Sequence, residues 1–172
     1  MREPSTIKIA GVKVSRTASG RAILRKVARH KRNNRVFPTR SERARIIQEA
    51  QSLKGTYDLN NVLVGKYTIS GRDIHNLAYE MSDELKPNME KIIMGIRDVI
   101  EKGRYVGWSK TDPNTHNGTA YFAYFSKNLG RKVYVGMKYI ERQGVYKPYV
   151  IYSRNEFNEK RRPKLEKGTP IV

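Results

Sequence analysis

The 172-residue chain contains no cysteine, which excludes a disulfide framework and a thiolate metal site. Histidine is scarce as well: His30, His75 and His116 are the only soft ligands, so neither zinc nor any other metal or cofactor is expected. No run of 18 apolar residues occurs, and the opening residues MREPSTIKIAG lack the apolar stretch of a secretory signal. A soluble, cytoplasmic protein with no membrane partner is the expectation. The GxxxxGK[ST] spacing of a phosphate loop is missing from GVKVSRTASGR and GKYTISGR, and GxSxG, HExxH and CxxC are absent. Asp73, Asp83, Glu84, Glu90 and Asp98 fall at ordinary helix-surface positions, without the clustering a two-metal nuclease requires. The most telling shortage is acid: 16 Asp and Glu stand against 35 Lys and Arg, a formal charge of +19. Such an excess repels itself in a compact fold and draws counter-ions, so the natural partner is a polyanion, nucleic acid first.

Residues 6–16, TIKIAGVKVSR, alternate apolar and polar around Ala10-Gly11 and predict a short hairpin. Ile23, Leu24, Val27 and Ala28 then recur at helical spacing, with Arg21, Arg25, Arg29, Lys31 and Arg32 over the remaining surface of a basic helix. Thr39 followed by Glu42 has the reciprocal capping spacing, and the second helix that it opens is expected to stop near Gly55. Residues 1–55 thus read as a basic, mainly helical region. GTYDLNN reads as a loop and NVLVGKYTIS as a short strand; Ser70 with Asp73 starts a helix over 71–86, and Pro87 opens another over 88–102. RYVGWS, TAYFAYFS, KVYVGMKYI and YKPYVIYS are strands joined by turn chemistry at Asp112-Pro113-Asn114, Asn128 to Gly130 and Gln143-Gly144. The predicted architecture is α+β: a basic helical N-terminal region, then two helices packed on a four-stranded antiparallel β-meander over 56–153, then a flexible basic tail over 154–172.

Period-two reading puts Val133, Val135, Met137 and Tyr139 on one face of the third meander strand and Lys132, Tyr134, Gly136 and Lys138 on the other, which is expected to be open. Eleven Tyr against four Phe and one Trp set phenols between cations along this sheet, a surface suited to stacking bases and holding phosphates. Nucleic-acid contacts are expected from Lys132, Tyr134 and Arg142 of the sheet and from Arg43 and Arg45 of the second helix. Metal-independent RNA cleavage needs a base for the 2′-hydroxyl, a cation for the phosphorane and an acid for the leaving oxygen. His75, Lys110, His116, Thr119, Lys138 and Tyr152 supply those functional groups, and imidazole titrates near neutrality. Each also has a plain structural explanation: a packing imidazole beside Ile74, a turn residue in TDPNTHNGT, a tyrosine reaching out of a core.

The order of elements, ISGRDIHNLAYEM, IRDVIEKGRYVGWSK, TAYFAYFSKNLGRKVYVGMKYI and YKPYVIYS, resembles the barnase/EndoU/colicin/RelE-like nuclease superfamily over about half of the chain. The resemblance implies a small metal-independent ribonuclease of the phage or toxin kind. No fixed catalytic motif aligns, so the site residues rest on their own chemistry. If the chain is a toxin, an acidic inhibitor or immunity protein would complement its charge. Two alternatives remain open. One is a nonenzymatic DNA- or RNA-binding regulator, or inhibitor of a nucleoprotein complex, presenting Arg43, Arg45 and Gln48 from a helix-turn-helix, although NNRVFPT is long for the turn. The other is a protein that only neutralises packaged or ribosomal nucleic acid.

Overall fold

In a computed structural model of the chain, residues 6–9, 12–15, 37–110 and 118–168 are described. The chain divides into two compact units, 1–37 and 38–172. In the first, Thr6–Ile9 (β1) and Val12–Ser15 (β2) pair antiparallel with Ile7 opposite Val14, the hairpin that the alternation predicts. The expected helix over 20–33, with its five basic residues, lies outside the described residues.

The second unit begins with the capping box at Thr39. Its hydroxyl accepts from the Glu42 amide at 3.2 Å, and the Glu42 carboxylate accepts from the Thr39 amide at 3.3 Å, satisfying two donors that a helix start leaves orphaned. The helix Arg40–Glu49 (α1) continues as a 3₁₀ turn over Ala50–Leu53. Ile46 and Ala50 are buried in the main core, so this helix belongs to the second unit and the boundary expected at 55 moves back to 38.

GTYDLNN is not a loop. Gly55–Asn60 (β3) pairs antiparallel with Val64–Ile69 (β4) in a tight hairpin. Leu59 is buried and Tyr57 half-buried, while Thr56, Asp58 and Asn60 face solvent, and Asp58 pairs across the strands with Lys66 at 2.7 Å. The Asn61 side chain forms the turn by accepting from the Leu63 amide.

Ser70 and Asp73 form the second capping box, which also accounts for a buried carboxylate. The helix Gly71–Glu80 (α2) is shorter than the predicted 71–86. Met81 leaves helical conformation, the Ser82 amide donates to the Ile151 carbonyl at 3.1 Å, and the Ser82 hydroxyl accepts from the Ser153 amide at 2.9 Å. Bonds to a distant strand thus replace the next helical turn. After a 3₁₀ turn at Lys86–Asn88, the expected single helix is two, Met89–Met94 (α3) and Ile96–Lys102 (α4), interrupted at Gly95. Their apolar stripe, including Ile92, Ile93, Ile96 and Ile100, is buried.

Arg104–Lys110 (β5), Gly118–Ser126 (β6), Arg131–Ile140 (β7) and Val145–Ser153 (β8) form the antiparallel meander. The sheet is larger than four strands. β4 lies parallel beside β8 with Tyr67 opposite Tyr146, giving a mixed six-stranded order β3-β4-β8-β7-β6-β5. Helices α1 to α4 contribute to the main core against one face of this sheet, where Phe122, Val133, Val135, Met137 and Ile151 are buried.

The opposite face is not open. Residues 154–166, expected as a tail without periodicity, form the helix Arg154–Lys160 (α5), a 3₁₀ turn at Arg162–Lys164, and a bridge from Glu166 to Trp108. Ser153 caps α5 by accepting from the Glu156 amide, and Phe157 is fully buried in a second core with Tyr121, Ala123, Tyr134, Val150 and Tyr152. The tail holds because one aromatic side chain, capped into a helix, buries itself on the sheet. Among the described residues no helix is long and apolar enough to cross a membrane.

Both cores hold phenols whose ionisation burial disfavours. Tyr67 is pushed up to about 12, the Arg97 guanidinium opposing part of the rise; Tyr105, Tyr121 and Tyr146 are also raised, mainly by burial. Below pH about 10, the ordinary tyrosine value, these groups are protonated folded or unfolded, and stability is unaffected. Above it the unfolded chain loses protons that the fold retains, so stability falls as pH rises toward 12. Urea midpoints between pH 8 and 11.5 should therefore drop steeply above 10, and less steeply in Tyr67→Phe.

Candidate functional site

The second face is built from alternate residues of four strands. Ser109 of β5 stands opposite Thr119 of β6, Thr119 opposite Lys138 of β7, and Tyr121 opposite Gly136. Gly136 makes the packing possible: a Cβ there would lie 3.0 Å from the Tyr121 ring, 3.1 Å from Val150 and 3.2 Å from the Thr119 methyl. Between Gly136 and Met137 the pairing with β8 slips, matching Val150 and then Pro148, so Tyr149 is the extra residue of a bulge. Pro148 suits the irregularity because it has no amide hydrogen for the ladder. Tyr149 remains 40% exposed, with the Lys138 ammonium 5.9 Å from its ring centre.

The C-terminal helix delivers the main cation. Phe157 stacks on Tyr134 at 4.1 Å and meets Tyr121 at 5.6 Å. One turn later the Arg161 amide closes on the Phe157 carbonyl, and Arg161 Nε donates to the Tyr152 hydroxyl at 2.9 Å. Burial opposes the charge on Arg161, but the Tyr152 hydrogen bond and the neighbouring phenols of Tyr121 and Tyr149 outweigh it, so its pKa is raised and it stays a cation. Arg162 lies over the Phe157 ring and reaches the Tyr134 hydroxyl at 3.5 Å. Among the described residues, the buried Oγ of Ser109 and Oγ1 of Thr119 have no hydrogen-bond partner. Ser109 is a near neighbour of Tyr121, but no bond of normal geometry joins them. Unpartnered buried hydroxyls are uncommon in native folds and require a reason; here two adjoin a cationic cluster.

Thr119, Lys138 and Tyr152, expected to carry chemistry, share this face, Thr119 opposite Lys138 and Tyr152 opposite Tyr134, four residues away along β7. His75 does not join them. It is exposed on α2, a helix that packs on the other face, and its ring stacks on Tyr79 at 4.4 Å. Lys110 is exposed at the end of β5, where alternation after Ser109 turns it to the helix-covered face. His116 lies outside the described residues, three positions before Thr119 in the chain.

Of the expected nucleic-acid contacts, Tyr134 is buried under Phe157 and closed to bases. Arg45 is tied to Glu49 at 2.8 Å and Glu90 at 3.2 Å, and Arg43 covers the Tyr79 ring at 4.6 Å. Lys132 is half-buried, and Arg142 is exposed in the turn between β7 and β8.

Arg161 and Tyr149 were not expected in the site. The signal for Arg161 was present in SRNEFNEKRR, where Ser153 and Glu156 have helix-start spacing and Phe157 precedes Arg161 by one turn. No three His, Asp or Glu side chains among the described residues gather to hold a metal ion. No protein-family model, curated protein or solved structure matches the chain.

Proposed function

We propose that this protein is a metal-independent ribonuclease acting at the rim formed by Lys138, Tyr149 and Arg161. The supporting observation is that Arg161, bonded to Tyr152, Lys138, beside Tyr149, and the unpartnered hydroxyls of Ser109 and Thr119 lie on one sheet face. In the reaction the RNA 2′-oxygen loses its proton and attacks the adjacent phosphorus. The bond to the 5′-oxygen breaks, that oxygen takes up a proton, and the products are a 2′,3′-cyclic phosphate and a 5′-hydroxyl. Arg161 and Lys138 offset the phosphorane charge. The Tyr149 phenol, the accessible one of the cluster, protonates the leaving oxygen, while Tyr152 orients Arg161. The 2′-proton requires a general base, for which the sequence offers His116 as the candidate, since imidazole chemistry suits proton transfer near neutrality. An acidic inhibitor protein would complement this rim.

A nonenzymatic RNA binder is the second reading, favoured by the depth of the cluster: Thr119 and Tyr121 are each 1% exposed. Incubation with total RNA and tRNA in EDTA, followed by end-group analysis, separates the two. Fragments with 2′,3′-cyclic phosphate ends are expected. Arg161→Met and His116→Ala should slow their formation about 100-fold or more, with folding checked by urea titration, and His75→Ala should stay within about twofold of the parent. Intact RNA with folded protein would discard the cleavage reading and leave the binder.

A further inference from the structure

Farther along β6 the same alternation that carries Thr119, Tyr121 and Ala123 reaches Phe125, opposite Lys132. Phe125 is 56% exposed, unusual for an aromatic on a strand whose residues Thr119 to Ala123 are buried. It stands between two hollows. One, of about 510 Å³, is lined by Arg131, Lys132 and Arg154, with Glu84 as its acid. The other, of about 420 Å³, is lined by Lys91 and Lys127, with Asp98 as its acid. Both acids are engaged: the Glu84 carboxylate accepts from the Asn155 side chain at 3.4 Å, and Asp98 pairs with Lys102 at 3.4 Å. None of the ion pairs among the described residues includes Lys91, Lys127, Arg131, Lys132 or Arg154, and the cations outnumber the single acid in each hollow, so both keep a net positive charge.

An exposed aromatic between cationic hollows has the two parts that single-stranded nucleic acid requires: a π-face on which any base stacks and charges that follow the backbone. A duplex keeps its bases stacked inside and offers Phe125 nothing comparable. We infer that Phe125 is a base-stacking subsite for single-stranded RNA, with the flanking phosphates held by Lys132 and Arg154 on one side and Lys127 on the other. Four residues along β6 separate Phe125 from Tyr121, roughly 13 Å at the rise of a strand, so the subsite and the Arg161 rim lie within a few nucleotides of each other. The inference deepens the ribonuclease reading and rests on it for the identity of the ligand as RNA.

Fluorescence anisotropy with a 12-nucleotide oligouridine carrying 2′-O-methyl sugars, which cannot be cleaved, tests it on the full chain. Phe125→Ala should weaken binding about tenfold and Phe125→Trp should restore it. Lys132→Gln with Arg154→Gln should lessen the slope of log affinity against log salt by about 1.4, the value for two single-strand phosphates. Phe125→Ala is exposed enough to leave the urea midpoint unchanged, so lost affinity reports stacking. Unchanged affinity in Phe125→Ala, or tighter binding of a 12-base-pair RNA duplex, would overturn the subsite. If unmodified RNA stays intact while Phe125→Ala still weakens binding, the cleavage reading alone fails; if RNA is cleaved and Phe125→Ala binds like the parent, the subsite alone fails.

Discussion

Phe157→Ala is expected to lower the stability of the 38–172 unit by about 3–5 kcal/mol, the usual range for emptying a buried aromatic site. The side chain is fully buried and touches three tyrosine rings, the closest contact a near-parallel stack on Tyr134 with planes 11° apart. It is also the only buried residue of α5, and a helix of seven residues does not hold its shape in water without tertiary contacts. Loss of the ring therefore removes both the packing and the reason for the helix. Equilibrium urea unfolding measures the first effect. The second appears as a changed near-ultraviolet tyrosine signal and as loss of any RNA cleavage, because Arg161 is carried by the same turn. A stability loss below about 1 kcal/mol with cleavage retained would mean that Arg161 is positioned by Tyr152 alone.

Gly103→Ala is expected to cost about 3 kcal/mol, the upper end for forcing atoms into a filled site. Gly103 ends α4 with φ −65° and ψ 149°, values that alanine adopts freely, so backbone preference is not the obstacle. Space is: the new Cβ would lie 2.3 Å from the Val99 carbonyl oxygen and 3.0 Å from the Phe122 Cβ. Both obstacles are held in place, the carbonyl by the Gly103 amide at 3.0 Å and Phe122 by full burial in the sheet. Relief requires moving the end of α4 away from β6, which opens the main core beside Val99 and Ile100. A midpoint shift equivalent to less than about 1 kcal/mol would show that this junction yields cheaply.

The elements legible in the sequence were those whose signals are local. Thr39 with Glu42 and Ser70 with Asp73 announce helix starts through side-chain bonds three residues long, and the four meander strands carry β-branched and aromatic residues between recognisable turns. What escaped depends on distant partners. Ser82 ends α2 by bonding with Ile151 and Ser153, some 70 positions on. β3 is an edge strand whose solvent-facing Thr56, Asp58 and Asn60 give it the composition of a loop. The pairing of β4 with β8 is parallel and has no turn to advertise it.

The candidate site was half legible for the same reason. Thr119, Lys138 and Tyr152 follow from strand alternation once the strands are placed. His75 shares their chemistry but sits on a helix that covers the other side of the sheet, a separation no spacing in the sequence expresses. Arg161 belongs to a segment whose charge reads as solvation unless the single apolar Phe157 is weighed above it.

The place of β8 within the sheet governs the order in which this molecule becomes complete. It lies between β4 and β7, and so joins the hairpin of residues 55–69 to the three strands of 104–140. Until residue 153 has left the ribosome, the growing chain holds two sheet fragments with unpaired edges, a long-range pairing that forms late and slowly. Arg161 comes only eight residues later. A chain that stops before residue 161 therefore lacks the cation that α5 brings to Tyr152 on the second face of the sheet.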